Sequence, residues 1–210
     1  MKFPNARIIV FAKAPVPGKC KTRLIPALGS QGAADLHTQL VHHTLNTVTS
    51  AKLSPVELWC AYDTNHPFFI GCDKQYPLAV KQQYGRDLGE RMENSFRETL
   101  KTAPYAVLIG TDCPTLTKQD INDTLQALND GSCCTLHPAN DGGYVAIGLS
   151  KVSSRLFSNI NWGQSSVYEE TRQRLEQLEW PWKKLATHDD IDRPEDLKNL
   201  NTVKLSNNAT

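Results

Sequence analysis

Apolar runs of strand length alternate with stretches of helical period along almost the whole chain, and this alternation limits the fold more than any other feature. RIIVFA at 7–12 is short, apolar and β-branched, as a strand covered on both faces requires. Residues 31–50 then set Ala34, Leu40, Val41, Leu45 and Val48 at helical spacing. PVELWCAY (55–62), PLAVKQQ (77–83) and YAVLIG (105–110) read as further strands, with a loop or short helix over 67–76. Between the third and fourth strands, Leu88, Met92, Phe96 and Leu100 recur every four residues along one helical face. T-K-Q-D at 117–120 has the layout of a capping box, and the helix it opens ends near Gly131. SCCTLHP and YVAIGL follow as strands, then a helix over 164–179, a strand near 182–187 and a short helix opened by Pro194.

Such a succession predicts an α/β fold, a three-layer α/β/α sandwich of Rossmann type around a mostly parallel sheet. The boundaries predict one domain over 1–200 and a frayed tail over 201–210. Ligands of open α/β sheets bind beyond the carboxyl ends of the strands, so the segments after each strand carry the candidate chemistry.

After the first strand comes FAKAPVPGKCKTRL. Lys13, Lys19, Lys21 and Arg23 fall within eleven positions, and no acidic residue precedes Asp35. The whole chain has 23 basic against 22 acidic residues, so this charge is local and its target small. That balance argues against a nucleic-acid or membrane-surface binder. An arginine grips two phosphate oxygens at once and lysines act as point charges, so the loop reads as a phosphate cradle with its charges left free. A solvated surface loop is the plainer alternative. A P-loop is excluded: its first glycine would fall at Lys13 and its Ser/Thr at Cys20.

GTDCP follows the fourth strand, and a lone Asp112 at a strand end suits Mg²⁺ or Mn²⁺; a turn cap explains it as simply. NDGGY follows the fifth strand. Gly142 and Gly143 permit close backbone approach to a ligand, with Asp141 and Tyr144 beside them, while Asp-Gly alone also marks a hairpin. HDDIDRPEDL places five acidic residues within 189–196, where Asp192 can cap the last helix or complete a metal site, and His188 can join them. None of the six cysteines forms a C-x-x-C pair or has zinc spacing, and buried thiols in a reducing cytoplasm are expected. No signal peptide and no apolar run of membrane-spanning length is present, so the expected location is the cytoplasm.

Taken together, FAKAPVPGKCKTRL, LGERM, GTDCPTL, DGGYVAIGL, NWGQSSV and DIDRPEDL resemble a bacterial family of small transferases with the GT-A, nucleotide-diphospho-sugar transferase fold. Its members are associated with radical-SAM or selenodomain proteins. The resemblance spans residues 5–200. It implies that Thr22 and Arg23 hold nucleotide phosphates, with Lys13, Gly18, Lys19 and Lys21 beside them. It further implies that Asp112 and Asp192 hold Mg²⁺ or Mn²⁺, with Asp190 in reserve, and that Gln83 and Gly85 lie where the superfamily reads the base. Two departures stand out. The glycine-rich loop of pyrophosphorylases is replaced by Pro15, Pro17 and Gly18, and the D-x-D of typical GT-A glycosyltransferases is replaced by T-D-C. The expected partners are a nucleotide and a small-molecule acceptor. The expected reaction is nucleotidyl transfer to a phosphorylated acceptor; glycosyl transfer and a catalytically idle nucleotide-binding module are the alternatives.

Overall fold

A computed structural model describes residues 1–202, and the tail expected over 201–210 lies largely outside the described residues. Seven strands form one sheet: β1 (Arg7–Ala12), β2 (Val56–Cys60), β3 (Leu78–Gln82), β4 (Ala106–Ile109), β5 (Cys134–Pro138), β6 (Tyr144–Leu149) and β7 (Trp182–Lys184). Their order is β3-β2-β1-β4-β6-β5-β7, and only β6 runs against the rest. The mostly parallel sheet read from the sequence is therefore correct, with a single inverted strand. The inversion follows from the NDGGY turn, which joins β5 to β6 as a tight antiparallel pair.

Five α-helices flank the sheet: α1 (Ile25–Ala51), α2 (Pro67–Gln75), α3 (Leu88–Thr99), α4 (Lys118–Asn129) and α5 (Val167–Gln177). Both faces of the central strands are covered. Ile8, Val10, Val107 and Ile109 pack with Val41, Leu45, Ile121 and Leu125 of α1 and α4 on one face. Ile9, Leu108 and Ile147 pack with Met92, Phe96 and Leu175 of α3 and α5 on the other. Adjacent strand residues alternate between two cores, which is why RIIVFA is apolar throughout.

The capping box is present: the Thr117 side chain accepts from the Asp120 amide, and Asp120 accepts from the Thr117 amide. Pro194 opens a 3-10 run over Pro194–Thr202 rather than an α-helix. Its start is held by Asp196, whose Oδ2 accepts from the amides of Asp192 and Arg193. Asp192, read from the sequence as a cap or a metal ligand, turns its carboxylate to Arg23.

Candidate active site

A cleft of about 660 Å³ opens at the carboxyl ends of β1, β2 and β4, where a doubly wound sheet places its ligands. The basic loop supplies Lys13, Lys19, Lys21, Thr22 and Arg23 to its wall. Asp112 enters after β4, Asp141, Gly143 and Tyr144 from the NDGGY turn, and Asp190 and Asp192 from the acidic run. Gln83 enters after β3. Segments 170 residues apart in sequence thus face one another. Of the other expected residues, Gly18, Gly85 and Gly142 do not line the cleft but shape the backbone near it.

The basic charges are not all free, which corrects the expectation of an unpaired cradle. Lys21 is buried, and its Nζ lies 2.7 Å from Asp112 Oδ1 and donates to Ile191 O at 2.5 Å. Arg23 Nη1 lies 2.5 Å from Asp192 Oδ2. Lys13 sits 5.9 Å from the centre of the exposed Tyr62 ring. Lys19 is exposed to solvent. A nearby ammonium or guanidinium lowers the electrostatic cost of a partly buried carboxylate. Among the described residues no cation lies within salt-bridge distance of Asp190: burial first, then the charges of Asp141, Asp112 and Asp192, push its carboxyl up to about 6.

Backbone strain gathers here. Lys21 has φ +45° and ψ +41°, left-handed values that cost a side-chain-bearing residue about 1 kcal/mol or more. The twist turns its side chain inward to Asp112. Gly142 has φ +92°, and a Cβ there would stand 2.0 Å from Ser165 O. Its glycine is thus required both by conformation and by the close approach of the 161–166 loop. The hairpin reading of NDGGY is met, with Asp141 Oδ1 accepting from the Gly143 amide in the turn between β5 and β6, and the turn lines the cleft.

Gln83 is buried, and its Nε2 donates to Trp59 O at 2.7 Å and more weakly to Ala12 O at 3.5 Å. The side chain ties the ends of β1 and β2 together. Three contributors were given no site role from the sequence. His37 of α1 is buried in the cleft wall with Nε2 2.9 Å from Lys13 O, and burial lowers its pKa. His43, six residues on, meets Pro114 O at 3.0 Å. The two histidines therefore steady the basic loop and the GTDCP loop from one helix. Arg91 of LGERM lines the cleft, and its Nε donates to Gly85 O at 3.3 Å. The motif signalled that segment, but only the fold shows which side chain turns inward. Trp162 packs against the core beside Tyr144 and lines the cleft.

A basic loop facing a carboxylate cluster at the ends of a sheet in this order defines a protein of the nucleotide-diphospho-sugar transferase fold class. A solved protein from Desulfovibrio desulfuricans G20, described as a candidate nucleotide-diphospho-sugar transferase, is 28% identical with a TM-score of 0.86, covering 98% of this chain and 90% of that one. The 4-diphosphocytidyl-2C-methyl-D-erythritol synthase of Anaerococcus prevotii DSM 20548 shares the fold at 13% identity and a TM-score of 0.62, with 95% of each chain covered. Rv0371c of Mycobacterium tuberculosis H37Rv, solved in complex with manganese, does so at 12% identity and a TM-score of 0.54, over 93% of this chain and 97% of that one. The chain belongs to the family DUF2064, described as an uncharacterized protein conserved in bacteria, whose model matches residues 44–164. No curated protein matches it. No helix among the described residues is long and apolar enough to cross a membrane.

Proposed function

We propose that the chain is a divalent-metal-dependent nucleotidyltransferase, which joins a nucleoside triphosphate to a small phosphorylated acceptor and releases pyrophosphate. The observation that carries the reading is the facing of the basic loop and the carboxylate cluster in one cleft, with Lys21 in contact with Asp112. The oxygen-only donor set fits Mg²⁺ or Mn²⁺, and Asp190, raised by burial and then by the charges of Asp141, Asp112 and Asp192, lies where a cation would be favoured. When bound, the ion supplies charge neutralisation at the reacting phosphate.

The chain's own part is positioning and electrostatics. Asp112 is one ligand. Asp190 is the favoured second ligand, because it faces three carboxylates while Asp192 already has Arg23 as a partner. Lys19, exposed at the cleft wall, would hold the departing phosphates. Arg23 and Lys21 would turn from their carboxylates to the same phosphates as substrate enters, so the positive charge is stored on the acidic wall until then. Gln83 and Gly85 lie toward the base, and the Gly142–Gly143 turn with Trp162 bounds the acceptor side. An association with radical-SAM or selenodomain proteins rests on the motif resemblance.

Glycosyl transfer is the second reading, favoured by the description of the Desulfovibrio protein. Product analysis separates the two. The chain is incubated with each triphosphate and nucleotide-sugar, Mg²⁺, and a panel of phosphorylated acceptors. Pyrophosphate release supports the first reading; release of a nucleoside diphosphate replaces it with the second. Nucleotide binding without any turnover would leave only a binding module.

A further inference from the structure

Outside the cleft, Asp120, His137 and His188 converge, with one ligand atom from each lying within 4.8 Å of the others. We infer that these three side chains form a Zn²⁺ site that is separate from the carboxylate cluster and fixes the segment carrying Asp190 and Asp192. The donor chemistry separates the two sites: imidazole nitrogens with one carboxylate suit zinc, whereas the cleft's carboxylates suit Mg²⁺ or Mn²⁺.

Each ligand is already held from behind, as metal ligands are. His137, fully buried in β5, has Nδ1 3.0 Å from Ala186 O, so that nitrogen carries the proton and Nε2 keeps its lone pair. That Nε2 lies 2.9 Å from Thr124 Oγ1. Thr124 stands one helical turn after Asp120 on α4, so Nε2 faces the same side of α4 as the carboxylate. Its hydroxyl can return to the carbonyl of residue 120 when a metal takes the nitrogen. Asp120 uses Oδ2 on the Thr117 amide and hydroxyl, at 2.8 and 2.6 Å, which leaves Oδ1 toward the cluster. His188 has Nδ1 3.4 Å from Thr115 Oγ1. Its Nε2 is buried with no hydrogen-bond partner and lies 3.5 Å from Asp120 Oδ1. Tetrahedral bonds of about 2.1 Å place ligand atoms about 3.4 Å apart, so this pair already has the required span. A buried, orphaned imidazole nitrogen is costly in a chain without a metal and is accounted for with one.

The position gives the site a task. Asp120 lies eight residues after Asp112, and His188 two residues before Asp190. His188 bridges to Ala139 at the end of β5, and Ile191 N donates to Asp112 O at 2.8 Å. A metal across Asp120, His137 and His188 would clamp the three segments that bear the cleft's carboxylates.

The test uses the full chain carrying Asp112→Asn and Asp190→Asn, stripped of metal by chelation, so that the cleft does not compete. Zn²⁺ stoichiometry is measured by elemental analysis and ligand identity by Co²⁺ absorption; circular dichroism monitors folding. One Zn²⁺ per chain, and an intense visible cobalt band without a thiolate charge-transfer band, are expected. His188→Gln and, separately, His137→Gln should abolish both while the chain remains folded. Zinc at 100 times its Kd should raise the Tm of the parent by about 5–10 °C, and that of His188→Gln not at all. Unchanged zinc uptake in a folded His188→Gln chain, a cobalt–thiolate band, or no stoichiometric zinc in the folded parent each overturns the site.

Discussion

Replacing Asp112 by Asn tests the Lys21–Asp112 contact before any substrate is known. Lys21 has a side chain only 3% exposed and makes two contacts, with Asp112 at 2.7 Å and with the Ile191 carbonyl at 2.5 Å. The substitution leaves a buried ammonium with neutral acceptors alone. Breaking a fully buried pair costs about 3–5 kcal/mol, and an exposed pair contributes about 0–1 kcal/mol. Asp112 is 49% exposed and Asn keeps one acceptor oxygen, so a loss of about 2 kcal/mol is expected. For a chain of this length that lowers the Tm by about 4–8 °C. Lys21→Met removes the stranded charge, and in that background Asp112→Asn should cost less than about 0.5 kcal/mol. The assay is urea unfolding of the four proteins of this cycle in chelator, with the coupling free energy read directly. A coupling near zero, or an Asp112→Asn protein as stable as its parent, would refute the claim that Lys21 depends on this carboxylate.

Asp190 sets a pH dependence of known sign. Its carboxyl, raised to about 6 by burial and then by Asp141, Asp112 and Asp192, binds more protons folded than unfolded. Its contribution to stability is therefore fully present below about pH 4 and is lost as pH rises through 6. The full shift would correspond to about 3 kcal/mol, reduced to about 1–2 by water's access. In metal-free buffer the stability difference between parent and Asp190→Asn should change by that amount between pH 4 and 7; a flat difference contradicts the reading. Mg²⁺ affinity, measured by calorimetry, should weaken about tenfold per pH unit below 6. Gly142→Ala combines a left-handed φ with a Cβ 2.0 Å from Ser165 O, so a loss above about 2 kcal/mol is expected. Retention of the parent's urea midpoint would show that the 161–166 loop gives way freely.

The fold was legible because its signals are local. Strand and helix periods, the Thr117 capping box and the Pro194 start lie within a few residues of the structure they direct. Even the burial of both faces of β1 was written in RIIVFA. The candidate site was legible only in part. Residue types after each strand named Lys19, Lys21, Arg23, Asp112, Asp141 and Asp192 as chemistry-bearing, and all six line the cleft. Their pairing was not legible. Lys21 meets Asp112 across 91 residues, and Arg23 meets Asp192 across 169, contacts that no local pattern encodes.

The sequence by itself determined the alternation of elements, the local excess of positive charge and the glycines that a left-handed turn demands, because propensity, period and steric freedom act over one or two turns. The tertiary structure alone decided that Lys21 meets Asp112 and Arg23 meets Asp192, that Asp190 is buried among other carboxylates, and that His137 and His188 converge with Asp120. Those outcomes depend on distance and burial across the fold, and Coulomb energy and desolvation have no counterpart in sequence spacing.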